Sequence, residues 1–463
     1  MRFDDTPTRR DAFRMLGCGF GTLGLAGTLQ AAGSGGPLAL KQPHFPARAK
    51  HVIFVFLNGG LSQVDTFDPK PELTRQDGKP LPGPKVRTDS ATGNLMKSPF
   101  AFRRCGESGL EVSEIFPKVG ALIDNFTVIR SCFADNGNHG PSLMLMNTGH
   151  QLPGRPSMGS WITYGLGTEN QNLPGFIAMC PGYPIMGPRL WTSGFLPNAY
   201  QGTYVPNGEK TPDRLVQNIR NGSLTLDEQQ RQLALLDRLN RLYLGNSPAH
   251  PSLAAGVEAM EVAFRMQMQA PEAFDIEREK PALRARYGDT DIGRGCLLAL
   301  RLVERGVRMV QIYHGNSQPW DSHEDIRSHR GLAREADPAI ASLVEDLKLR
   351  GLFDQTILIV GSEFGRTPMI QSAGQLRVNQ GRDHNVFGFT TLLAGGGFKG
   401  GFAYGATDDF GLRAAVNRVH PHDLQATILH QLGLDHTRLT YRYSGRDFRL
   451  TDVGGRVIRE VLS

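Results

Sequence analysis

The chain has 463 residues, 40% of them hydrophobic and 21% charged, with 55 glycines and 29 prolines. This composition excludes a disordered tail, a coiled coil and a disulfide-stapled miniprotein, and it leaves room for one large core or a few smaller ones. The net charge is +6, with no lysine–arginine run interleaved by aromatics, which argues against nucleic acid as a partner.

Residues 1–33 read as an export signal. Thr8-Arg9-Arg10-Asp11 precedes an uncharged, glycine-rich stretch from Leu16 to Leu29, and the small residues Ala31, Ala32 and Gly33 follow. A basic head, a modest apolar run and small residues at its end make a cleavable signal peptide. The arginine pair points to the twin-arginine route. A membrane span wants ~20 strongly apolar residues, and this run is shorter and rich in glycine. No span is therefore expected after cleavage, and the expected location is the periplasm or cell envelope. Residues 34–50 read as a linker and 51–463 as one α/β domain. Cys105, Cys132, Cys180 and Cys296 lie in that domain, where one or two disulfides are open and the pairing is not legible.

Along the domain, His51 to Leu57 is a short apolar run that stops at Asn58-Gly59-Gly60, as a buried parallel strand does. Phe126 to Ile129 is a second such run. Leu233, Leu236 and Leu239 recur at helical spacing between polar residues, which predicts a helical insertion over about 223–270. Gly295 to Arg305 reads as a helix stopped by Gly306 and followed by a strand over Val307 to Tyr313. Pro338 to Leu349 reads as a helix, Thr356 to Val360 and Phe389 to Leu393 as strands, and Asp423 to Leu432 as a closing helix. This alternation predicts a mostly parallel central sheet with helices on both faces.

In such sheets the chemistry collects beyond the C-terminal ends of the strands, and the polar clusters lie there. Asn58 and Asp65 follow the first strand. Trp320-Asp321-Ser322-His323 follows Tyr313, Glu363 and Arg366 follow Val360, and Arg382-Asp383-His384 precedes Phe389. His139 opens a helix after Asn138. Imidazoles and carboxylates from distant loops suit a borderline divalent metal such as zinc, while carboxylates alone suit harder ions. Arg366 and Arg382 are expected either to hold a phosphate or sulfate oxygen in bidentate fashion or to form surface ion pairs.

Thr356 to Gly365 is similar to the late segment of sulfatases and other alkaline phosphatase superfamily members. There the pattern T-x-x-x-x-x-S-D-H-G delivers two metal ligands; Glu363 holds the Asp place here and Phe364 the His place. His139-Gly140-Pro141-Ser142 through Thr148-Gly149 resembles the sulfatase nucleophile turn, with His139 where the nucleophile stands. Asn58-Gly59-Gly60 with Ser62-Gln63 and Asp65, the W-D-S-H run ending at His323, S-E-F-G-R-T-P from Ser362, and G-R-D-H-N ending at Asn385 together resemble a twin-arginine-exported bacterial family, domain of unknown function 1501, which is sulfatase-like. The likeness runs from His51 to the C-terminus.

The resemblance implies an alkaline phosphatase/sulfatase-like α/β fold and a divalent metal, zinc or calcium-like. It implies Asp321, His323, Glu363, His384 and Asp65 as metal ligands and His139 and Asn58 as catalytic residues. Asp383 joins Arg366 and Arg382 as a binding residue. Two functional classes follow. One is a metal-dependent hydrolase of a phosphate or sulfate ester, with an anionic ester or polysaccharide as substrate. The other is a non-catalytic envelope protein that holds an anionic glycan or a protein partner in the same cleft.

Replacing the arginine pair, Arg9→Lys with Arg10→Lys, is expected to leave precursor in the cytoplasm. Cell fractionation checks this, and unimpaired export of the double variant refutes the twin-arginine reading.

Overall fold

This computed structural model describes residues 36–215 apart from 85, scattered positions between 225 and 239, 271–373 and 377–463. The export signal expected over 1–33 lies outside the described residues. So does most of the insertion expected over 223–270, of which the described positions, such as 234–236, are helical.

Eleven strands position the site: β1 (His51–Phe56), β2 (Thr92–Leu95), β3 (Phe126–Cys132), β4 (Phe176–Met179), β5 (Thr203–Val205), β6 (Met309–Tyr313), β7 (Thr356–Gly361), β8 (Gly365–Ala373), β9 (Arg377–Asn385), β10 (Phe389–Ala394) and β11 (Phe402–Tyr404). Eight of them form one sheet in the order β11-β3-β10-β7-β1-β6-β4-β5. Three of the apolar runs, β7, β1 and β6, are interior neighbours, paired in parallel with His51 opposite Thr356 and Val52 opposite Met309. Every residue of β1 is buried, the continuous apolar pattern that a strand covered on both faces requires. Only β10 runs antiparallel within this sheet. The remaining three strands form a small sheet, β9-β8-β2, which stands off the C-terminal edge of β7.

Helices cover both faces. On one lie α1 (His139–Thr148), α2 (Met158–Leu166) and α5 (Pro421–Gln431). Asn147 of α1 accepts from Gln311 and Tyr313 of β6 at 2.5 and 2.9 Å. On the other face lies α3 (Asp291–Glu304), where Gly295 lets Ile312 of β6 come so close that a Cβ would stand 2.8 Å from its methyl. α4 (His329–Leu349) packs against α3.

Two expectations are corrected. α4 starts nine residues before Pro338, which sits inside it. Proline removes one helical N–H and normally ends a helix. Here the carbonyl left without a partner belongs to exposed Arg334, while Ala333, Ala336, Ala339 and Ile340 are buried and hold the helix in place. The described part of the 34–50 linker is packed on the domain rather than free. Its backbone N–H groups at His44, Phe45, Arg48 and Ala49 donate to the carbonyls of Gln431 and Gly433. These are the carbonyls a helix C-terminus leaves without intrahelical donors. Cys105, Cys132, Cys180 and Cys296 are all free thiols. Among the described residues no helix is long and apolar enough to cross a membrane.

His329, the first residue of α4, is fully buried. Its Nε2 accepts the Ser62 N–H at 3.2 Å, so Nδ1 carries the proton and donates to Ser322 Oγ at 3.0 Å. The ring is therefore neutral, and burial pushes its pKa from 6.5 down to about 3. Between those values the unfolded chain binds a proton that the native chain does not. Stability therefore falls as pH drops through that window, by up to about 1.4 kcal/mol per pH unit from this one group. Urea midpoints of wild type and His329→Gln at pH 7 and 5 check it: the variant is expected to start lower and to show the shallower fall. A difference between the two that does not change with pH refutes the assignment.

Candidate metal centre

Four residues bring one ligand atom each to within 4.8 Å of one another: His139, Asp321, His323 and His384. They come from three places in the chain. His139 is the first residue of α1, whose N-cap, Asn138, accepts from Gly140 N at 3.1 Å. Asp321 and His323 lie in the loop after β6, and His384 lies near the end of β9.

Two glycines let that loop settle against its neighbours. A Cβ on Gly59, which has φ of 115°, would lie 2.6 Å from Asp321 N; one on Gly381 would lie 2.1 Å from the His323 carbonyl carbon. Any larger residue at either place pushes the ligand loop away.

Asp321 is the hub. Its Oδ1 lies 2.7 Å from His323 Nε2, 3.2 Å from His384 Nε2 and 2.5 Å from Arg366 Nη2. Its Oδ2 accepts from Gln318 Nε2 at 2.8 Å and lies 3.3 Å from His139 Nε2. The two imidazole Nε2 atoms of His323 and His384 are 3.0 Å apart. Each ring is held from behind through Nδ1. His139 donates to Glu363 Oε1 at 2.7 Å and His384 to the Gly137 carbonyl at 2.7 Å, while His323 donates to Gln371 Oε1. With the proton on Nδ1, all three Nε2 lone pairs point at the carboxylate. This is how metal-binding histidines are oriented. His139 Nε2 is buried without a hydrogen-bond partner.

The group is short of positive charge. Asp321 and Glu363 carry two negative charges, and Arg366 offsets one of them. Burial pushes the Asp321 carboxyl up, but the bonds it receives from the three histidines when these are protonated, and the Arg366 charge, outweigh it and hold it far below the usual carboxylate range. Burial pushes His139 down, yet the Asp321 and Glu363 carboxylates on its two sides favour the protonated ring and raise it to about 9. His323 is raised by its bond to Asp321. His384 is lowered, first by burial, although Asp321 pulls it the other way. Either a proton on His139 or a cation among the four supplies the missing charge. The donor set fits a cation: three imidazoles and one carboxylate are zinc ligands, whereas calcium takes six to eight oxygens.

The other expected site residues fall outside this group. Glu363 is fully buried behind His139, accepting from Gly59 N at 3.0 Å and Ser362 Oγ at 2.8 Å. Asn58 donates to the Ser317 carbonyl at 2.5 Å, and its Oδ1 is buried without a partner. Asp65 is turned away into a buried ion pair with Arg382 at 2.7 Å. Arg366 and Arg382, expected to meet an anion, are fully buried. Arg366 donates to the carbonyls of Gly59, Gly60 and Arg382 as well as to Asp321; Arg382 donates to Asp65 and to the carbonyls of Thr367 and Met96. Each spends four of its five N–H donors on these internal acceptors, and burial keeps both from an outside ligand. Asp383 accepts Ser90 N at 2.7 Å and, with exposed Asp89, approaches His384 from its Nδ1 side. Phe364, which replaces a ligand in the superfamily pattern, is a wall: its ring packs on His139 at 4.8 Å and on His384 at 4.7 Å. Gln318 and Gln371, which orient Asp321 and His323, carry no signature in the sequence.

The chain matches the family described as Protein of unknown function (DUF1501) over residues 49–462, and it belongs to that family. No curated protein matches. Several solved structures are similar at low identity. Ps i-CgsB in complex with k-i-k-neocarrahexaose is 13% identical with a TM-score of 0.36, over 83% of this chain and 72% of that one. Phosphonate monoester hydrolase SpPMH from Silicibacter pomeroyi is 15% identical with a TM-score of 0.34, over 75% and 71%. The lipoteichoic acid synthase LtaP from Listeria monocytogenes is 10% identical with a TM-score of 0.34, over 89% and 78%.

Asp65→Asn is expected to cost about 3–5 kcal/mol of stability, since it leaves Arg382 buried and unpaired, and to leave metal content unchanged. Asp321→Asn is expected to lose bound metal. Thermal melts and metal analysis of both variants check this; metal lost from Asp65→Asn returns that residue to the ligand set.

Proposed function

We propose that this protein is an exported, metal-dependent hydrolase of phosphate or sulfate esters. The observation that carries the reading is the convergence of three Nε2 lone pairs on the Asp321 carboxylate. His139, Asp321, His323 and His384 would hold a zinc-type divalent cation. When bound, such an ion polarises an ester oxygen and makes water a better nucleophile.

The chain's own residues do the rest. Glu363, the Gly137 carbonyl and Gln371 fix the ring orientations. Arg366 cancels one negative charge, and a divalent cation would add two positive charges where an ester oxyanion arrives. The group lies beyond the C-terminal ends of parallel strands, where α/β sheets place ligands. Access is from the side of His323, whose side chain is 27% exposed against 6% for His384. His139 occupies the place of the sulfatase nucleophile, so attack falls to water: the P–O or S–O bond to the alcohol breaks, and the alcohol leaves with a proton. The Arg9-Arg10 signal supports action outside the cytoplasm.

Protein purified without chelator is expected to hold about one zinc-type ion per chain and to hydrolyse aryl phosphate or aryl sulfate. His323→Ala and His384→Ala are each expected to lose both metal and turnover. Metal retained in both variants removes the pair from the centre. Metal present without turnover of either ester refutes the hydrolase and leaves the anion-binding envelope protein.

A further inference from the structure

The loop after β4 borders the same site. β4 is the parallel neighbour of β6, so residues 180–191 leave the sheet beside the loop that carries Asp321. The two loops are stitched together: Ser317 N donates to the Tyr183 carbonyl at 3.0 Å, and Tyr183 N donates to Asn316 Oδ1 at 2.9 Å. At its other end the loop meets α1 beside His139, where a Cβ on Gly140 would lie 3.2 Å from the Met186 sulfur. Met186 holds φ of 74°. A side-chain-bearing residue pays for that backbone, and such strain collects at binding sites.

Tyr183 is 51% exposed, an unusual state for a large aromatic that is also supported from behind. Its ring stacks on Tyr204 at 4.9 Å and 26° and on Trp191 at 6.2 Å and 17°. Those two stack on each other at 5.6 Å and 9°. The Tyr204 hydroxyl ties the stack to the loop through the carbonyls of Cys180 and Gly182 at 3.1 and 2.9 Å. The ring is thus rigid before anything binds, and a ligand on its open part loses little to ordering. Exposed Arg189 stands on the next turn, Gly187–Trp191, with no ion pair among the described residues.

We infer that residues 180–191 form a saccharide subsite of the metal centre. The flat CH face of a sugar ring packs on Tyr183, and Arg189 meets a phosphate or sulfate group on the same chain of sugars. The substrate is then an anionic glycan ester rather than a small free ester. The chemistry matches the page: an aromatic face recognises an apolar ring face, and a guanidinium holds an oxyanion in bidentate fashion. A protein partner would need a far wider apolar surface than one backed ring. This inference rests on reading the cluster as an ester-hydrolase centre, and the test separates the two.

Calorimetric titration of the full chain with sulfated hexasaccharides of the galactan and glycosaminoglycan types reads binding without turnover. Tyr183→Ala is expected to weaken binding about tenfold, and Tyr183→Phe to stay within about twofold, because the stacking face is kept. Arg189→Gln is expected to weaken binding and to flatten its salt dependence. Metal content of Tyr183→Ala is expected to match wild type, since the ring is not among the four side chains that would hold the ion. An active enzyme whose Tyr183→Ala variant binds the hexasaccharides unchanged, or a wild type that binds none of them, overturns the subsite. A wild type that binds through Tyr183 but hydrolyses nothing overturns the hydrolase and leaves the subsite standing.

Discussion

One carboxylate organises the centre of this protein. Asp321 faces Arg366 on one side and three imidazoles on the other, and each of those groups is held by a different part of the chain. Arg366 reaches it from β8 while donating to the carbonyls of Gly59 and Gly60 at the end of β1. The first strand's loop, the loop of Asp321 and the small sheet therefore share one guanidinium. Because Arg366 is fully buried, removing the Asp321 charge strands it in a poorly solvated place. The three loops form a single electrostatic unit.

Behind that unit the supports differ in kind, and the difference has chemical consequences. His139 rests on a full carboxylate, His384 on a peptide carbonyl and His323 on an amide. A negative acceptor makes its imidazole the more basic donor, so His139 is the strongest of the three toward a cation or a proton, and its pKa is raised to match. Glu363 thus acts through His139 at a distance from any ligand. Phe364, fully buried and packed against both the His139 and His384 rings, gives the site an apolar wall, and a drier site strengthens every charge interaction within it.

The same arithmetic explains why the two arginines expected to bind substrate are internal. Asp65 is fully buried and Asp321 half-buried, and each is matched by a buried cation. Arg382 and Arg366 meet that need and then satisfy backbone carbonyls with their remaining donors. A sequence shows that arginines and acids are numerous near a motif; it does not show which of them cancel one another. Arg189, exposed and without an ion pair among the described residues, lies in a segment with no motif at all.

The sequence by itself determined the order of elements, the three interior strands and the loops that carry the chemistry. Those properties follow from local apolar runs, glycine stops and short motifs, and all are written within a few neighbouring residues. It also named His139, Asp321, His323 and His384. Only the tertiary structure decided that these four share one point while Asp65, Glu363 and Asn58 do not, because ligand sets are made by side-chain directions across loops that lie far apart in the chain. The same holds for Pro338 inside a helix and for residues 36–50 against α5, where packing outweighed local preference. Gln371 and Gln318 had no local signature, since a hydrogen bond that orients a ligand depends on where its partner's ring nitrogen falls, and that position exists only once the chain has folded.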